Sequence, residues 1–251
     1  MRLLVVAVLL PGLVDAAVGA PSALVVDAQT GRAVFARGAD APRPPASTTK
    51  LMTALLACER LAPDALLTVS ARAASMPRTK ADLRAGRRYR VRDLVQALLV
   101  GSSNDAAVVL AEGVAGSEAR FAELMTRRAR ELGCRNTRFL NASGLNARGQ
   151  VSTCRDLLAI LAAARRHELV EGALQDPSFT LVHADGGRTV MDNHNKLLGD
   201  YAAAPVGKTG YTRAARHCFA GLFRKEGRTY YVSCMGSSRF WPDLRALTEI
   251  P

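Results

Sequence analysis

Apolar positions recur with two different periods along this chain. Residues 22–27 and 32–37 alternate or run apolar on either side of Asp27-Ala28-Gln29-Thr30-Gly31, which predicts a β-hairpin. The segment Ala41-Pro42-Arg43-Pro44-Pro45 cannot be helical, because proline fixes φ and removes a donor, so a helix should begin at or just after Pro45. Residues 47–59 then take helical spacing, with Leu51, Leu55 and Cys58 on one face. Further helices are predicted at 91–100, 104–114, 117–132 and 154–166. A strand period returns at 206–211, 217–223 and 229–235, as in a meander. Strands at both ends with helices between them predict an α/β fold of the α+β type. The amino-terminal hairpin and carboxy-terminal meander would share one antiparallel sheet, flanked by helices, with a helical subdomain inserted between them. At 251 residues the chain suits one such unit, and it shows no repeat or low-complexity linker.

The first twenty residues have another character. Arg2 precedes an apolar run over residues 3–10, followed by Pro11, Gly12 and small residues up to Ala20. That is the layout of a signal peptide, cleaved after Ala16 or Ala20. The run is too short for a bilayer core, which needs about 20 apolar residues. The mature domain, residues 21–251, is therefore expected outside the cytoplasm, in the periplasm or beyond.

The 34 basic against 22 acidic residues give a net charge of +12. The bases are scattered, mostly arginines without interleaved aromatics, which favours a solvated surface suited to an anionic envelope over nucleic-acid recognition. Lysine occurs only at Lys50, Lys80, Lys196, Lys208 and Lys225. The five cysteines have no Cys-x-x-Cys spacing, which argues against a zinc site. Cys218 and Cys234 flank Lys225-Glu226-Gly227-Arg228 almost symmetrically, so a hairpin would bring them close to opposite each other. Two readings stay open for the pair, a disulfide or two small buried hydrophobes.

Three short clusters carry chemistry. In Ser47-Thr48-Thr49-Lys50, serine and lysine lie three apart at a helix start and share a face. A serine hydroxyl becomes a good nucleophile when a neighbour takes its proton, and a desolvated, neutral lysine can do so. Ser102-Ser103-Asn104 precedes an apolar helix, and Lys208-Thr209-Gly210 puts a cation, a hydroxyl and a bare backbone into an otherwise apolar strand. Taken singly, these would be a helix cap, a second cap and an odd lysine.

Together they resemble the penicillin-recognising serine D,D-peptidases of low molecular weight, the D-alanyl-D-alanine carboxypeptidase family. Its Ser-x-x-Lys, Ser-x-Asn and Lys-Thr-Gly motifs occur here once each, in order. The surroundings are similar too, in Pro45-Ala46-Ser47-Thr48-Thr49-Lys50-Leu51-Met52-Thr53, Asn141-Ala142-Ser143-Gly144-Leu145 and Asn193-His194-Asn195-Lys196-Leu197-Leu198. The resemblance implies a β-lactamase/D,D-peptidase-like fold and a reaction without metal or cofactor. It implies Ser47 as nucleophile, Lys50 as proton acceptor and Ser102 as proton relay. Asn104 would hold the peptide amide, Lys208 and Thr209 the terminal carboxylate, and Gly210 would admit the substrate backbone. The backbone N–H groups of Ser47 and Tyr211 would form the oxyanion hole, and Arg239 would assist with the carboxylate. The substrate implied is a peptidoglycan stem peptide ending in D-Ala-D-Ala, with β-lactams as covalent inhibitors.

Two departures stand out. Arg216 and His217 replace what is usually glycine and an uncharged residue. The family's frequent β-rich domain and amphipathic carboxy-terminal anchor are not expected in a chain that stops at Pro251, so no stable membrane anchor is evident. The alternatives are a D,D-endopeptidase cutting crosslinks, a class A β-lactamase and a non-catalytic envelope-binding protein. The β-lactamase lacks support, because no Glu-x-x-Leu-Asn segment is present and Ser103 stands where an Asp is required. His167, His183, His194 and His217 form no evident triad.

Overall fold

The structure, a computed structural model, describes residues 17–77 and 79–250. Residues 1–16 of the expected signal segment lie outside the described residues. The amino-terminal hairpin is β1 (Ser22–Asp27) and β2 (Ala33–Arg37), and the carboxy-terminal meander is β7 (Val206–Thr212), β8 (Arg216–Lys225) and β9 (Arg228–Ser237). They form one antiparallel five-stranded sheet in the order β2-β1-β9-β8-β7, so the two ends of the chain meet as their periodicity implies. Ala23, Leu24 and Val25 of β1 are all buried, as suits a strand covered on both faces.

A 3₁₀ turn, Ala46–Thr49, leads into α1 (Lys50–Arg60), rather than one helix from Ser47. After it come β3 (Leu66–Thr68), α2 (Ala71–Ala74) and β4 (Arg88–Arg90), with β3 and β4 paired. Next are α3 (Val91–Leu99), α4 (Asn104–Ala115), α5 (Glu118–Glu131), α6 (Cys154–Ala164) and α7 (Glu168–Gln175). The hairpin β5 (Ser178–Val182) and β6 (Arg188–Asp192) precedes the meander, and α8 (Phe240–Glu249) ends the fold. Helix α1 is apolar nearly all round, with Leu51, Met52, Leu55 and Leu56 buried, so it runs through the middle of the helical layer. The main core lies between these helices and one face of the sheet, and a smaller one, with Val25, Phe219, Phe223 and Leu244, lies between the other face and α8.

The hairpin of β8 and β9 corrects one expectation. Its register shifts beside His217, with Cys218 opposite Met235 and Phe219 opposite Cys234. Because successive residues of a strand face opposite ways, Cys218 joins the helical core and Cys234 the α8 core. The two thiols are therefore not cross-strand partners, and all five cysteines are free. The extra residue is Gly236, at φ 81°, a left-handed conformation suited to glycine. After the bulge, Ser237 points toward α8, where its Oγ donates to Asp243 Oδ2 at 2.6 Å.

Asp243 is fully buried, and its Oδ1 accepts the Gly19 N–H at 2.7 Å. Val18 and Ala20 are buried in the same small core. One carboxylate thus ties the first described residues to the last strand and helix. Asp243→Ala leaves the buried Ser237 hydroxyl and the Gly19 N–H without their acceptor. It is expected to lower unfolding free energy by about 2 to 4 kcal/mol, read as a lower urea midpoint at unchanged slope.

Candidate active site

The three clusters meet where the 3₁₀ turn, the start of α4 and strand β7 come together. Pro45 caps the turn, and Ala46 takes φ 49°, a left-handed value rare for a residue with a Cβ, immediately before Ser47. Strand β7 runs alongside the turn at the sheet edge, which leaves a row of its backbone groups unpaired by the sheet. Gly210 permits that approach, since a Cβ there would lie 2.7 Å from the Ser47 nitrogen.

Lys50 is completely buried. Its Nζ lies 3.1 Å from Ser47 Oγ, and it donates to Asn104 Oδ1 at 2.9 Å and to the Ser143 carbonyl at 2.6 Å. The orientation of the Asn104 amide is fixed, because its Nδ2 donates to the Pro77 carbonyl at 3.2 Å. Thr53 Oγ1 donates to the Ala142 carbonyl and Glu118 Oε1 accepts the Ala142 N–H, which pins the segment bearing Ser143. Burial first, and then the charge of Lys208, push the Lys50 pKa well below its ordinary value, against a smaller opposing pull from Asp105. A neutral amine has two N–H bonds and one lone pair. With two oxygens that can only accept taking both N–H bonds, the lone pair is left for the Ser47 hydroxyl.

Ser102 is nearly buried and also left-handed, at φ 56°. Ser103 precedes α4 but makes no side-chain cap, and its Oγ contacts Met191 Sδ of β6 at 3.4 Å. Asn104 anchors the neighbouring loop as well, its N–H donating to the Thr79 carbonyl at 2.8 Å. Asp105 accepts the N–H groups of Ala81 and Leu83. Lys208 is buried, and burial lowers its pKa to about 7.

Ser47, Ser102, Thr209, Gly210 and Tyr211 line a cleft of about 350 Å³, together with Thr79, His194, Lys196, His217, Phe240 and Trp241. Lys50 and Asn104 lie behind Ser47, beneath its floor. Arg239 stands apart from the lining. It is exposed at the start of α8, its N–H donates to Ser237 Oγ at 3.1 Å, and its side chain passes beside Gly19. No local signal marked Phe240 or Trp241, which belong to a helix that the apolar pattern does not announce. His194 and His217, which form no triad, both reach the cleft. Partial burial, with the charges of Lys208 and Lys50, pushes His194 down to about 4, and burial lowers His217 as well.

Residues 12–238 match the peptidase S11 family, described as D-alanyl-D-alanine carboxypeptidase. The chain is 33% identical to D-alanyl-D-alanine carboxypeptidase DacB2 of Mycobacterium tuberculosis, over 90% of this chain and 80% of that protein. It is 30% identical to D-alanyl-D-alanine carboxypeptidase DacF of Bacillus subtilis, over 87% of this chain and 58% of the relative's length. A D-alanyl-D-alanine endopeptidase of Pseudomonas aeruginosa is 33% identical, over 78% of this chain and 64% of its own length. Among solved structures, a D-alanyl-D-alanine carboxypeptidase of M. tuberculosis superposes with a TM-score of 0.86 at 28% identity, covering 92% of this chain and 90% of that one. The Streptomyces K15 DD-transpeptidase superposes at 0.84 and 26% identity, covering 93% and 95%. With the fold, the three motifs and nine-tenths of its length in agreement, the chain belongs to the D-alanyl-D-alanine carboxypeptidase family of serine peptidases.

Proposed function

We propose that this protein removes the terminal D-Ala from peptidoglycan stem peptides through an acyl-enzyme on Ser47. The observation that carries the reading is the buried Lys50 Nζ, 3.1 Å from Ser47 Oγ with Asn104 Oδ1 and Ser143 O as its other two partners. Ser47 Oγ attacks the carbonyl carbon between the last two residues while its proton passes to Lys50 Nζ. The resulting oxyanion faces the Ser47 and Tyr211 N–H groups. The C–N bond breaks as Ser102 relays a proton to the departing nitrogen. Asn104 holds Lys50 in register and lies beside the path of the peptide amide. Lys208 and Thr209 attract the carboxylate of the leaving residue, and Arg239 is the reserve cation at the rim. Lys50 then activates a water, which releases the shortened peptide.

In a β-lactam the leaving nitrogen remains tethered to the acyl group and blocks that water. Among the described residues no carboxylate lines the cleft to offer another base. A fluorescent penicillin should therefore label the protein durably, and Ser47→Ala should abolish the labelling. Loss of the terminal D-Ala from a diacyl-Lys-D-Ala-D-Ala peptide should depend equally on Ser47. A label that persists in Ser47→Ala refutes the assignment. Cleavage of crosslinks is the second reading, favoured by the 33% identity to a D-alanyl-D-alanine endopeptidase. A crosslinked dimer assayed beside the linear peptide decides between the two.

The Lys50 pKa sets the pH dependence. Acylation requires neutral Lys50, so its rate rises with pH and levels off well below the ordinary lysine value of 10.5. Lys208→Met removes the neighbouring charge that lowers Lys50, and the rising limb moves to higher pH. The pH profile of the second-order penicillin acylation rate measures both effects.

The first residues support export as a cleaved precursor. Cleavage after Ala16 keeps the buried Val18 and the bond from Gly19 to Asp243, whereas cleavage after Ala20 discards both. Amino-terminal sequencing of protein recovered from the cell envelope should begin at Ala17.

A further inference from the structure

Beyond Thr209, the cleft does not end at the groups assigned to catalysis. It continues along a wall of four rings. The Tyr211 and His217 rings lie 4.5 Å apart, His217 stacks on Phe240 at 4.9 Å with 9° between planes, and Phe240 meets Trp241 at 4.4 Å. Phe240 is buried, His217 and Trp241 are half-buried, and the Tyr211 side chain is 55% exposed. All four residues line the cleft, with Tyr211 the most open of them. Sheet geometry explains how they gather there. Thr209 and Tyr211, two apart on β7, share the face that looks toward α8, while Lys208 and Gly210 look toward the Ser47 turn. His217 is the cross-strand partner of Tyr211. The Gly236 bulge beside it keeps His217 and Ser237 on that same face. Arg216, just before, is held at φ 56°, a strained value for a residue with a Cβ.

We infer that the rings of Tyr211, His217, Phe240 and Trp241 form the subsite for the side chain of the leaving D-residue, and that they suit a side chain longer than the methyl of D-Ala. This rests on the D,D-peptidase reading above. Ser47 fixes the reacting carbonyl, and Lys208 with Thr209 fixes the leaving residue's carboxylate. A side chain on that residue has the ring wall beside it. Ring faces favour an aliphatic chain, which gains apolar contact without needing a counter-charge. The leaving half of a crosslink, a D-centre carrying a long aliphatic chain, has this chemistry.

The test compares a diacyl-Lys-D-Ala-D-Ala peptide with the same peptide ending in D-Leu or in Nε-acylated D-Lys. Wild-type protein should cut the extended peptides with kcat/KM at least equal to that for D-Ala. Trp241→Ala and, separately, His217→Ala should lower the ratio of extended to D-Ala kcat/KM by about tenfold, and Trp241→Phe should restore most of it. Penicillin labelling of each variant confirms that it is folded and competent at Ser47. Poor cleavage of the extended peptides by wild type, or a ratio unchanged in labelled variants, overturns the subsite. Absence of both labelling and D-Ala-D-Ala cleavage in wild type would instead refute the peptidase reading itself.

Discussion

Two lysine side chains with almost no contact with water set the terms for the rest of this structure. Burying an ammonium without a counter-charge is expensive, and the usual outcome is that the group gives up its proton. Asp105 is the one acid that raises the Lys50 pKa, yet its oxygens serve the backbone of Ala81 and Leu83 rather than Lys50. What Lys50 receives is a pair of neutral oxygens, from Asn104 and Ser143. These satisfy an amine but do little to stabilise a cation. The site is built to hold a base, and the left-handed conformations at Ala46 and Ser102 beside it are the strain expected where geometry matters more than stability.

That constraint explains how distant parts of the chain are arranged. The Ser143 carbonyl is useful only because Thr53 of α1 and Glu118 of α5 grip Ala142 from both sides. The Asn104 amide is useful only because the Pro77 carbonyl fixes which end faces Lys50. Strand β7 can bring Lys208 close only because the amino-terminal hairpin and the meander complete one sheet, leaving β7 at its edge. The fold thus converges on a few atoms from residues spread over more than 150 positions.

Much of this was legible in the sequence, for identifiable reasons. The central strands and α1 bury whole apolar runs, so their periods are strong and the sheet could be assembled from them. The three motifs have fixed spacing and could be matched as a set. What escaped lies where local pattern is weak or misleading. The hairpin of β5 and β6 exposes Val182 and Val190 and carries little alternation, and α8 begins with bulky residues and a proline. Cys218 and Cys234 miss each other by one residue, because the turn pairs Lys225 with Arg228 and counting outward sets Cys218 against Met235; strand alternation then sends the two thiols to opposite faces. The ring wall was hidden because nothing local says that His217 will stack on a phenylalanine more than twenty residues away.

The two buried lysines answer to different influences. Lys208 has a pKa of about 7 while buried, so near neutrality it is charged only part of the time. A carboxylate arriving beside it, as the proposed reaction requires, favours the charged form. The carboxylate brings its own negative charge with it, so the pair it makes with Lys208 presents little net charge to Lys50. The two lysines therefore divide the work. Lys208 answers to the carboxylate, while burial, the largest influence on Lys50, keeps the base ready for Ser47 whether or not that carboxylate is present.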